Sequence, residues 1–236
     1  HGKFRRQRQM CIRDSYYSGH SKPHKDPADR PAGMSDIEWQ IRNWYNYTYL
    51  GGGGLVEQAV HSVDKIGWVM GDQNPLRCRA TGGLAAPQSD GNIFDHYHVA
   101  YEFPGNVWCH LASRKTQGCY NENADYIRGT KGTLKIGVGK FPYIEDNNGE
   151  VIWKNTLRRG QKEANMYQVE HDELFKSIRT GEHLNDGDWM IHSSMMAIMG
   201  RMSAHTGLEV TWDQALNADE DLFANEAGLD WAGSFE

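Results

Sequence analysis

Between residues 76 and 153 the sequence runs as one strand-like segment after another, separated by short turns. The segments are 76–80, 94–103, 107–113, 125–128, 133–138 and 151–153. In the longest, His96, His98, Ala100 and Glu102 alternate with Tyr97, Val99, Tyr101 and Phe103. A period of two puts the polar row on one sheet face and the apolar row on the other. Gly129-Thr130-Lys131-Gly132 and Asp146-Asn147-Asn148-Gly149 are turn sequences. Such close spacing predicts an antiparallel meander.

Helical patterns flank this region. Ser35-Asp36-Ile37-Glu38 is a capping box opening a short helix through Ile41. Val56, Ala59, Val60, Val63 and Gly67 share one side of a second helix that Gly71 ends. Past the strands, 164–180 carries Tyr167, Leu174, Phe175 and Ile178, and 188–206 carries Ile191, Met195, Ile198, Met199 and Met202. Each ends at a glycine, and a short helix beginning at Asp213 follows. The methionine stripe reads as core packing. The fold class is therefore α+β: a large, predominantly antiparallel β-sheet with helices packed on one face. Whether Tyr97, Val99, Tyr101 and Phe103 face the helices or a partner is left open by the pattern.

Composition narrows the function. A net charge of −6 over 236 residues argues against nucleic-acid binding. No run approaches 18 apolar residues, so no membrane helix is expected. The charge is uneven: residues 1–31 hold eight basic and three acidic side chains, leaving −11 for the rest. Residues 1–34 are polar and broken by Pro23, Pro27, Pro31 and Gly33, and read as a non-native or disordered lead to a domain spanning 35–236. The four cysteines form no CxxC and read as ordinary buried thiols.

The chemistry gathers after Gly51-Gly52-Gly53-Gly54. Glu57, His61, Asp64 and Trp68 fall together on the following helix at i, i+4, i+7 and i+11. A carboxylate on either side of His61 can fix the imidazole tautomer and raise its basicity, which suits proton removal from an alcohol. An ordinary surface histidine bridging two acids gives the same spacing. A zinc site from Glu57, His61, His96 and His98 lacks any HExxH or CxxC support, so no metal is assigned. There is no GxSxG elbow, no Walker loop and no GxGxxG.

The run from Gly51 to Asp64 resembles the GGG-x-x-x-[DE]-x-x-x-H-x-x-D element of the Gfo/Idh/MocA oxidoreductases, relatives of glucose–fructose oxidoreductase and inositol dehydrogenase. Trp68-Val69-Met70-Gly71 continues the likeness, as do 35–44, Gly129-Thr130-Lys131-Gly132-Thr133, 197–202 and Glu209-Val210-Thr211-Trp212-Asp213. The resemblance covers roughly residues 35–222. It implies the C-terminal half of an NAD- or NADP-dependent enzyme acting on a sugar or polyol, whose Rossmann domain lies elsewhere. It implies that the residue matching His61 assists proton transfer at the carbinol, and that Glu57 binds substrate or supports that histidine. Arg42, Asn43, Tyr45 and Tyr47 lead into the glycines and are expected at the same cleft, with Asp64 and His96 as further substrate contacts. Gly52 and Gly53 are expected to let the cofactor ring approach. The family's E-K-P lysine has no counterpart, so this chain alone is expected to be inactive. The resemblance further implies a homo-oligomer built through the open sheet face, in a bacterial cytoplasm or periplasm. An NAD-dependent glycoside hydrolase of the same superfamily and a non-catalytic sugar-binding or oligomerisation module are the alternatives.

Overall fold

The apolar row of the longest strand is buried: Tyr97 is 3 % exposed, and Val99, Tyr101 and Phe103 are each 0 % exposed. This row faces the helices, since Tyr101 Oη donates to the Met196 carbonyl at 2.9 Å. The fold is that of a computed structural model, which describes residues 12–18, 25–71, 73–86, 90–116, 118–139, 141–157 and 164–223. Its strands are β1 (Ile12–Ser18), β2 (Arg77–Gly83), β3 (His96–Phe103), β4 (Val107–Arg114), β5 (Asn123–Gly129), β6 (Gly132–Ile136), β7 (Tyr143–Asp146), β8 (Val151–Lys154) and β9 (Val210–Thr211). They form one nine-stranded sheet in the order β8-β7-β6-β5-β1-β4-β3-β2-β9. Every pairing is antiparallel except β1 with β4. The α+β class and the mostly antiparallel sheet agree with the sequence.

The lead does not stand apart as expected. Ile12–Ser18 lies inside the sheet, parallel to β4 and antiparallel to β5. Its anchor is polar: Ser15 Oγ donates to Asp125 Oδ1 at 2.7 Å, and Lys65 Nζ meets Asp125 Oδ2 at 2.6 Å. Asp26 then caps a 3-10 turn at Pro27–Asp29, and Arg30 pairs with Asp36 at 2.5 Å. Local polarity could not report this, because both strand partners lie some ninety or more residues away in sequence. Residues 1–11 and 19–24 lie outside the described residues. A Ser15→Ala variant should lose about 1.5–3 kcal/mol in urea unfolding, the range for a hydrogen bond to a charged group. Unchanged stability would remove β1 from the sheet.

The helices are α1 (Asp36–Arg42), α2 (Thr48–Gly51), α3 (Val60–Met70), α4 (Met166–Thr180), α5 (Gly187–Thr206) and α6 (Trp212–Leu216). Ser35 Oγ accepts from the Glu38 amide and starts α1 as its capping box predicts. Leu55, Val63 and Ile66 from the α3 segment and Met196 and Met199 from α5 fill the core against β3 and β4. Cys78 and Cys109 are buried free thiols there, and Cys119 is a free thiol nearer the surface. Tyr167, Leu174, Phe175 and Ile178 of α4 are exposed, and no residue of that helix is buried. Among the described residues, no helix is long and apolar enough to cross a membrane.

Candidate active site

The glycine run changes the chain's direction between α2 and the next helix. Gly52 (φ 73°) and Gly53 (φ 91°) both take left-handed backbone, which side chains with a Cβ rarely adopt. A Cβ on Gly52 would sit 2.8 Å from Val56, and one on Gly53 would sit 3.0 Å from Tyr97 Oη. The chain itself therefore fills the space beside both α-carbons. The left-handed turn and the neighbouring side chains account for both glycines.

Gly54 borders a lysine side chain. A Cβ there would lie 2.7 Å from Lys115 Nζ. Lys115 follows β4, is 8 % exposed, and donates a hydrogen bond to Tyr45 Oη. Its Nζ lies 4.3 Å from the Tyr45 ring centroid. Glu57 follows one turn later, within a π-helical turn at Leu55–Ala59. Burial raises the Tyr45 phenol far above the ordinary tyrosine range, and the Glu57 carboxylate and Tyr17 push it further. Burial and then Glu57 likewise raise Tyr17. Lys115 and Tyr45 are thus in contact, and the Glu57 charge bears on both phenols, which makes one electrostatic group. It combines a carboxylate acceptor, phenols that stay protonated and an ammonium, a set able to grip an oxygen-rich ligand.

His61 stands beyond this cluster and is exposed. Among the described residues no hydrogen bond joins it to Glu57 or Asp64. A π turn at Leu55–Ala59, closed i→i+5, stands just upstream of His61. Asp64 is also committed elsewhere: its Oδ1 accepts from Trp189 Nε1 at 2.5 Å and Ser193 Oγ at 2.6 Å, tying α3 to α5. The expected carboxylate–imidazole–carboxylate row is therefore not formed. Asp64→Ala should cost about 1–3 kcal/mol by leaving two donors unsatisfied. Urea unfolding reads this loss, and an Asp64→Ala variant as stable as the parent chain would contradict it.

The other expected contacts divide. Tyr45 joins the cluster, whereas Tyr47 is held by burial among Trp39, Tyr49 and Asp90. Arg42 pairs back with Glu38 at 2.6 Å, and Asn43 Nδ2 donates to the Trp39 carbonyl at 3.0 Å, so both finish α1. His96 alternates with Tyr97 and so lies on the opposite sheet face, with Nδ1 2.7 Å from Asp95 Oδ1. Among the described residues, no group of three His, Cys, Asp or Glu is spaced to hold a metal ion. Lys115 and Tyr17 escaped the sequence reading. Lys115 sits in a polar strand end with no motif, and Tyr17 lies in the segment read as a foreign lead.

Residues 28–135 match the model of the GFO/IDH/MocA C-terminal domain. No curated protein matches the chain. Among solved structures, it resembles the WlbA dehydrogenase of Bordetella pertussis in complex with NADH and UDP-GlcNAcA, at 17 % identity and a TM-score of 0.56, covering 86 % of this chain and 53 % of that one. It also resembles an aldose–aldose oxidoreductase from Caulobacter crescentus complexed with glycerol, at 16 % identity and a TM-score of 0.59, covering 86 % of this chain and 55 % of that one. A third is an Agrobacterium radiobacter oxidoreductase in complex with NAD+, L-tartaric acid and magnesium, at 12 % identity and a TM-score of 0.54, covering 86 % and 56 %. The chain spans about half the length of these structures.

Proposed function

From the premise that residues 28–135 are a GFO/IDH/MocA C-terminal domain, we propose that this chain is the substrate-handling half of an NAD- or NADP-dependent oxidoreductase acting on a sugar or polyol. The nucleotide-binding unit would belong to the longer polypeptide, and the bound nicotinamide would supply hydride acceptance. The glycine run forms no GxGxxG, so no phosphate is assigned to it. In this chain Glu57 accepts from a substrate hydroxyl, Tyr45 donates to a neighbouring oxygen, and His61 at the rim takes the carbinol proton. The observation that carries the reading is the contact of Lys115 with Tyr45 beside Gly54, with the Glu57 charge bearing on that phenol. Alone, the chain would not turn over, because hydride transfer needs both reactants held in register.

The test joins the chain to a nucleotide-binding unit in one polypeptide. It is incubated with NAD+ or NADP+ and a panel of aldoses, uronic acids and polyols, and reduced nucleotide is read at 340 nm. Net formation of reduced nucleotide with one of them is expected. Binding without any reduction would favour a non-catalytic module instead. We further propose that a second copy covers the open face, where His98 stacks on His110 at 5.8 Å, His110 on Trp108 at 6.4 Å, and Arg79 lies 5.5 Å over Trp108. Sedimentation showing only monomer at micromolar concentration would contradict that.

A further inference from the structure

We infer that Trp68 and Trp189 form a second sugar subsite on the face of α3 that carries His61, so that this chain takes a glycoside or oligosaccharide: the reacting ring lies at His61 and the next ring stacks on the tryptophan pair. The placing of the first ring rests on the function proposed above; the tryptophan pair and its anchoring do not.

From Val60 to Met70, α3 is regular α-helix. Ser62, Val63, Ile66 and Gly67 are buried in the core, while His61 and Trp68 are exposed and Asp64 lies half-buried between them. Residues 61, 64 and 68 therefore share the outer face. At 1.5 Å per residue, His61 and Trp68 stand about 10 Å apart along the helix axis. Trp68 is 58 % exposed, and its ring centroid lies 6.3 Å from that of Trp189, the rings tilted at 46°. Trp189 is not free to turn: its Nε1 donates to Asp64 Oδ1 at 2.5 Å, and Ser193 Oγ donates to the same oxygen at 2.6 Å. Asp64 thus holds one indole by its edge, and the preset pair loses little further freedom when a ring is laid against it. Among the described residues no hydrogen bond reaches Asp64 Oδ2. A sugar ring carries C–H groups on its faces and hydroxyls at its rim. The first suit an indole face, and the second suit a carboxylate oxygen at the edge of that face. One ring at His61 cannot also cover Trp68, whereas two linked rings can. Asp64 and Trp68, the last two members of the row on α3, then share one task.

The test uses the intact chain labelled with 15N at the indole Nε1, with the two signals assigned from Trp68→Tyr and Trp189→Phe. Glucose, galactose and mannose are titrated beside the disaccharides cellobiose, maltose, lactose and mannobiose. At least one disaccharide is expected to bind about tenfold tighter than its component sugars, and to move the Trp68 and Trp189 signals where the single sugars do not. Trp68→Ala should bring its affinity down to that of the single sugar and leave the single sugar's affinity unchanged. Trp68→Tyr, which keeps an aromatic face, should restore most of the difference. Trp189→Phe keeps a ring but removes the bond to Asp64, and should also weaken the disaccharide selectively; it decides the matter if the alanine variant fails to fold. Disaccharides that bind no tighter than single sugars, or that bind Trp68→Ala as well as the parent chain, overturn the inference. So does a Trp68 signal that moves with protein concentration alone, which would mean that a second copy covers the pair. A single sugar oxidised by the longer polypeptide with no gain from a second ring would remove only the subsite. A disaccharide seated on Trp68 without any reduction of nucleotide would remove only the proposed function.

Discussion

Replacing Glu220 with alanine should remove about 1.5–3 kcal/mol of stability, because it strips a partly exposed carboxylate from the buried Arg201 guanidinium. That is a large share of the 5–15 kcal/mol typical of a whole domain. Arg201 is 2 % exposed on α5, and its two terminal nitrogens both meet the Glu220 carboxylate, one of them at 2.9 Å. Its Nε has no partner among the described residues. A guanidinium cannot shed its charge, so without Glu220 it stays buried and unpaired or the tail opens to water. The damage would reach the candidate site, since Arg201 Cδ lies 3.4 Å from the Cβ position of Gly53. Hydrogen exchange at residues 51–57 should therefore rise with the loss in urea midpoint. Removing both charges in Arg201→Met with Glu220→Ala should recover much of the stability, because no unpaired ion remains. A pH scan carries the same sign: the hydrogen bond to Arg201 holds Glu220 below its ordinary value of 4.5. The pair's contribution is then full above that value and is lost as pH falls through the lowered one. A Glu220→Ala variant as stable as the parent chain would show that the tail does not close on α5.

Glu57→Gln should lower kcat of the longer polypeptide by about 10–100-fold, because the carboxylate that holds the substrate hydroxyl for His61 is worth about 1.5–3 kcal/mol as a charged acceptor. The amide keeps the shape and one acceptor oxygen, so KM should move much less than kcat. The effect should exceed that of Asp64→Ala, whose carboxylate serves Trp189 and Ser193. Equal losses at both positions would mean that Glu57 acts through structure alone. Tyr45→Phe, which keeps the ring and removes the donor, should fall between the two.

The sheet was legible because residues 96–103 alternate without a break and the turns between later strands carry glycine and asparagine. The helix ends were legible for the same local reason: Gly71, Gly181 and Gly207 all take left-handed backbone at the caps. β1 was not legible, since nothing near Ser15 reveals the distant Asp125 that anchors it. In the candidate site, the glycines and Glu57 were found by spacing, but their geometry was misjudged. Periodicity assumes 3.6 residues per turn, and the π turn at Leu55–Ala59 breaks that assumption at the residue that mattered. The glycines before it serve the turn. Lys115 became visible only when β4 brought it across Gly54.

The most direct measurement is a crystal structure of the longer polypeptide with NAD(H) and the polyol or sugar it binds. The account predicts the reacting hydroxyl within hydrogen-bond reach, about 2.6–3.2 Å, of His61 or Glu57. A ligand seated elsewhere, with His61 and Glu57 turned away from the nicotinamide, would contradict it.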